Sequence, residues 1–124
     1  MAEQADRAFL EEMLAPLGGV SVRRMFGGLG LFREDLMFGL VADGDLYLKA
    51  LPDERAAFAA EGGAPFSPEM GGRTATMISY WRAPDRLGDE PDEFLTWTRR
   101  ACAAARVLDA AKPAGRRKER HSDG

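Results

Sequence analysis

Arg23 and Arg24 are followed within six positions by three glycines, Gly27, Gly28 and Gly30. Glycine lets backbone amides approach a ligand closely, and a guanidinium can grip a carboxylate or phosphate through paired hydrogen bonds. Arg24, Phe26, Gly27, Gly28 and Gly30 therefore form a candidate loop for an anion or a small ligand. A dinucleotide fingerprint, however, needs a third glycine where Arg33 stands and a helix after it, whereas the residues here predict another strand. A kink or bulge is the expected use of these glycines. Alternation sends Arg23 and Arg24 to opposite faces of that strand, so at least one should meet solvent and pair with a surface acid.

Other chemistry is poorly supplied. His121 is the sole histidine and no GxSxG elbow occurs, so a Ser-His mechanism has no parts. Cys102 stands among Ala101, Ala103, Ala104 and Ala105 with no local base, which predicts a helix-packing residue rather than a nucleophile. One cysteine and one histidine do not make a metal site. The carboxylate pairs Glu11-Glu12, Asp89-Glu90 and Asp92-Glu93 fall at helix starts or on exposed helix faces, where solvated acids are expected. No catalytic residue, cofactor or metal is therefore expected.

The elements around these residues alternate short apolar runs with polar turns. Phe9, Leu10, Met13, Leu14 and Leu17 recur at helical spacing over residues 4–17, and Gly18-Gly19 ends that helix. Residues 20–26 read as a first strand. Three more follow at 29–33, 36–41 and 46–50, divided by the turn formers Glu34-Asp35 and by residues 42–45. Pro52-Asp53-Glu54 opens a short helix to Ala60, with Asp53 as the expected cap. Residues 65–69 and 74–82 predict a second hairpin around residues 70–73, and residues 84–89 a loop. A closing helix begins near Asp89 to Pro91 and runs to about Ala111, with Phe94, Trp97, Thr98, Ala101, Ala105 and Leu108 along one face. The order α-β-β-β-β-α-β-β-α implies an α+β domain, one antiparallel sheet of five to six strands with helices packed on it.

The RMFGG run leading into a hairpin and an LYLK strand resembles the N-terminal domain of the TfoX/Sxy family. So do the later MISYWRAP strand and the DEFLTW start of an alanine-rich closing helix. The resemblance covers roughly residues 5 to 111 and implies the same α+β architecture. It also implies a bacterial transcriptional co-regulator acting through a protein partner, a transcription factor or RNA polymerase. Competence-associated members are thought to act with the cyclic-AMP receptor protein. Two-domain members carry a C-terminal helical domain, and this chain is expected to comprise the N-terminal unit alone.

The surface that would serve such a role starts from the central strand, apolar on both sides. With Leu36, Phe38 and Leu40 toward the helices, Met37 and Val41 face outward, joined by Phe32, Tyr47 and either Tyr80 or Trp81. Met37, Val41, Tyr47 and Trp81 are the candidate interaction residues. An antiparallel sheet normally solvates its uncovered face, so an apolar one implies cover by the closing helix, by the tail or by another chain, a homodimer or a protein partner.

Charge narrows the choice. Residues 1–111 carry 12 basic and 18 acidic side chains, a net of −6, whereas residues 112–124 carry 5 and 2, a net of +3. An acidic body is a poor match for phosphate backbones. Direct nucleic-acid binding would fall to Arg23, Arg24 and a basic tail with Arg116, Arg117, Lys118 and Arg120, and that tail is expected to be disordered. The lone cysteine makes a reducing cytoplasm the simpler setting. The polar N-terminus lacks a secretory pattern, and no apolar run approaches the roughly 20 residues that span a bilayer.

Overall fold

A computed structural model describes residues 6–25 and 27–113 of the chain. Helix α1 (Arg7–Leu14) passes into a 3-10 turn (Ala15–Leu17) with Pro16 in its first positions, and the stripe Leu10, Leu14 and Leu17 is buried. Gly18 and Gly19, at φ 79° and 72°, then reverse the chain into the sheet.

Strands β1 (Val20–Met25), β2 (Gly28–Arg33), β3 (Leu36–Ala42) and β4 (Asp45–Lys49) form the meander that the alternating pattern predicts. Both hairpin turns of its second half place two consecutive residues at positive φ: Glu34 and Asp35 at 56° and 63°, then Asp43 and Gly44 at 52° and 81°. Such mirror-image turns match the right-handed twist of the flanking strands.

A 3-10 turn (Pro52–Glu54) leads into α2 (Arg55–Ala60). Its entrance is capped by Glu54, whose carboxylate accepts from the Leu51 amide at 2.9 Å, in place of the expected Asp53 cap. The second hairpin is broken. Only β5 (Pro65–Phe66) pairs with β8 (Met77–Arg82), while β6 (Glu69–Met70) and β7 (Arg73–Thr74) form a separate ribbon turned by Gly71 and Gly72. The stretch read as a loop holds a 3-10 turn (Asp85–Asp89) before α3 (Pro91–Ala110). The main sheet is antiparallel, in the order β1-β2-β3-β4-β8-β5.

The helices lie on one face of this sheet. Leu10 and Leu14 of α1, Phe58 of α2 and Phe94, Ala101, Cys102 and Ala105 of α3 share one core with Val22, Leu29, Leu31, Leu36, Phe38, Val41, Leu48 and Ala50. The alanines of α3 let its backbone sit close to the strands. Cys102 is buried there, and burial raises its thiol pKa, as a packing residue requires. Arg86 ties three elements together: it meets Glu61 at 2.6 Å, Glu90 at 2.7 Å and Glu93 at 2.8 Å. No helix among the described residues is long and apolar enough to cross a membrane.

Candidate functional site

A β-bulge decides which side chains reach the other face. Leu31 pairs with Gly39 but Phe32 pairs with Met37, so Phe38 is an extra residue that reverses the alternation of β3. Leu36 and Phe38 point to the helices. Beyond the bulge Gly39 and Val41 do so as well, and Leu40 turns the other way. Gly39 is crowded: a Cβ there would lie 3.0 Å from the Tyr47 carbonyl oxygen and 3.1 Å from both Leu31 Cδ1 and Leu48 Cδ2. The expected outward placement of Val41 is therefore corrected: it is 6% exposed, inside the core beside Leu29 and Leu46. Leu40 takes its place on the open face opposite Tyr47.

Trp81 is corrected on the same grounds of register. It pairs with Leu48, packs partly buried against the core, and donates its indole N–H to the Ile78 carbonyl at 2.8 Å. Tyr80, which pairs with Lys49, is the aromatic that joins the open face. Met37 and Tyr47 are placed there as expected.

The open face thus carries Met25, Phe32, Met37, Leu40, Tyr47 and Ile78, none of them in the helix-covered core. Gly30 makes the strip continuous, because a Cβ there would sit 2.5 Å from Met25 Sδ and 2.8 Å from Phe32 Cε1. At the far end the Phe66 ring lies 4.9 Å from that of Tyr47. Ile78 is 49% exposed and Leu40 8% exposed, the strip's open edge and its centre.

Cations frame it. The Arg23 guanidinium lies 4.2 Å above the Phe32 ring and 3.5 Å from Asp35. Lys49 Nζ lies 4.2 Å from the centre of the Tyr80 ring and donates to the Tyr80 hydroxyl at 3.2 Å, which donates in turn to the Met37 carbonyl at 3.3 Å. Burial pulls the Lys49 ammonium pKa down, with Lys112 adding to the effect, and burial holds the Tyr80 phenol well above its ordinary value. Arg82, on the same side, is held by Asp45 at 3.0 Å and Asp85 at 3.1 Å.

Where the last turns of α3 overhang the end of the sheet, a cleft of about 180 Å³ opens between Phe32, Leu36 and Met37 on one side and Ala105 and Leu108 on the other. Lys49, Tyr80, Asp109 and Lys112 supply its polar lining.

The glycine-rich loop does not persist as a loop. Gly27, at φ 79°, makes the turn, but Gly28 and Gly30 are strand residues, and a Cβ on Gly28 would run into the Val41 carbonyl oxygen. The bare backbone of Gly28 faces the Val41 carbonyl and that of Gly30 faces the Met25 and Phe32 side chains, the close-packing use of glycine. Arg24 is exposed at the end of β1. Phe26 and the tail residues Arg116, Arg117, Lys118 and Arg120 lie outside the described residues.

Met25, Leu40, Ile78 and Lys49 are the members that reading the sequence did not assign to the site, and Tyr80 is the alternative it left open beside Trp81. One signal did exist: the doublet Leu40-Val41 breaks period-two alternation directly after a glycine, as a bulge demands.

A family model described as the TfoX N-terminal domain matches residues 12–105. The DNA transformation protein TfoX1 of Aliivibrio fischeri (strain ATCC 700601 / ES114) is 30% identical over 109 residues, 85% of this chain and 52% of that protein. Protein Sxy of Escherichia coli (strain K12) is 31% identical over 77 residues, 62% of this chain and 36% of its own length. The chain thus spans about half, or less, of the curated relatives it matches.

Proposed function

The chain belongs to the TfoX N-terminal domain family, and we propose that it acts as a non-enzymatic interaction domain, a bacterial transcriptional co-regulator whose working surface is the open face of the sheet. The observation that carries this reading is the apolar strip from Met25 through Leu40 to Ile78, set on the face opposite the helices. Exposed apolar patches on folded domains tend to be functional. Methionines suit such a surface, since their flexible thioethers adapt to a partner's shape.

On this reading the partner is a protein of the transcription machinery, a transcription factor or RNA polymerase, as the resemblance to the family implies. The domain supplies adhesion rather than chemistry. Lys49, the amine whose pKa burial lowers, donates to the Tyr80 hydroxyl rather than to a group that would take its proton away.

Transcript profiling tests the co-regulator role. Cells lacking the protein should show a defined set of altered transcripts, and cells carrying Met37→Lys should reproduce that set. A deletion that changes no transcript, or a variant that restores the normal pattern, would contradict it.

A further inference from the structure

We propose that the cleft under the C-terminal turns of α3 is the anchor pocket of this surface, taking one aromatic or branched apolar side chain from a partner segment whose flanking residues are acidic. The inference rests on the reading of the open face as a docking surface and extends it to what the partner presents.

Phe32 and Met37 belong both to the strip and to the cleft, so the two are continuous. Binding energy at protein interfaces concentrates where a side chain is fully desolvated in a packed pocket, with flatter contacts around it. The cleft is concave, with Phe32, Leu36, Met37, Ala105 and Leu108 as apolar walls.

The charge around it selects the flanks. Lys49 and Lys112 line the cleft against a single carboxylate, Asp109, and Arg23 stands over Phe32 at its approach. Lys112 meets Asp109 at 3.7 Å and Arg23 meets Asp35 at 3.5 Å, long contacts that leave donors available. Residues 1–111 carry a net charge of −6, and Lys49 and Arg23, joined by Lys112, stand here against that overall sign. A segment that brings carboxylates to both sides of its anchor would meet opposite charge here and repulsion over the rest of the surface, which fixes where it docks.

The test is selection of a random peptide library on the full chain, followed by binding measurements of the selected peptides on variants. The expected result is enrichment of peptides carrying Leu, Ile, Phe or Trp between Asp or Glu residues. Their affinity should fall about tenfold or more with Leu108→Glu and with Lys112→Glu. Lys112 is half exposed, so Lys112→Glu keeps the test valid if Leu108→Glu fails to fold.

Selection of basic or uncharged peptides, no enrichment, or affinity unmoved by both cleft variants would overturn the inference. So would a single-stranded oligonucleotide that displaces the peptides and itself loses affinity with Lys112→Glu. Tyr47→Lys and Ile78→Lys separate the two claims. Peptides sensitive to these but not to the cleft variants would leave the open face standing and remove the pocket; peptides sensitive to neither would remove both.

Discussion

Single residues in β2 and β3 carry the geometry of the surface, and two contrasts expose it. Gly28→Ala drives a methyl group into the Val41 carbonyl and should cost about 1–3 kcal/mol in urea unfolding, an overpacking penalty that no side-chain rotation relieves. A neutral outcome would mean that β2 and β3 do not approach as closely as described. Val41→Lys would bury an unpaired charge and should cost about 3 kcal/mol or more, whereas Met37→Lys should cost about 1 kcal/mol or less. The reverse order would place Val41 outside, as simple alternation predicts. Alternation from Leu36 correctly assigns Met37 and Phe38 and then fails at Leu40 and Val41. A bulge depends on the pairing partner, and the crowding of Gly39 by Leu31 and Leu48 is visible only once three strands are side by side.

At the level of elements, the meander, the opening and closing helices and the order of elements along the chain were legible because each is written locally, in glycine turns, apolar periods and a proline at the start of α3. The second hairpin was less so. Gly71 and Gly72 stand at positive φ, only two residues of β5 pair with β8, and the contact of Phe66 with Tyr47 lies across the sheet, out of reach of a local pattern. Arg86 is the joint between α2, the 3-10 turn and α3. Hydrogen bonding to Arg86 lowers the Glu61 pKa, and with Trp97 and Glu90 assisting it brings Glu93 to about 2, from an ordinary value of 4.5. Carboxylates with depressed folded pKa values contribute stability above their unfolded pKa and lose it as pH falls toward the folded one. Urea titrations at stepped pH should therefore find Arg86→Met less stable than the parent above pH 4.5, with the gap closing toward pH 2. A gap that stays constant across this window would show that the carboxylates are not held by Arg86. All four side chains are partly exposed, so the effect should also shrink with added salt.

Over the whole molecule, one face of a six-stranded sheet is closed by helices and the other presents a methionine-rich and aromatic strip framed by Arg23, Lys49 and Arg82. The family was legible from the order of its motifs. The working surface was legible in part, since Met37 and Tyr47 were assigned to it while Val41 and Trp81 were exchanged for Leu40 and Tyr80 by the bulge and the β4–β8 register. The most direct test of the open face is quantitative affinity capture from the protein's own cells at native abundance, comparing the parent chain with Met37→Lys/Tyr47→Lys. The expected result is a transcription factor or RNA polymerase recovered in near-equal amount with the parent and lost with the double variant, both proteins unfolding cooperatively. Equal recovery with both, or the parent chain recovered alone, would contradict it.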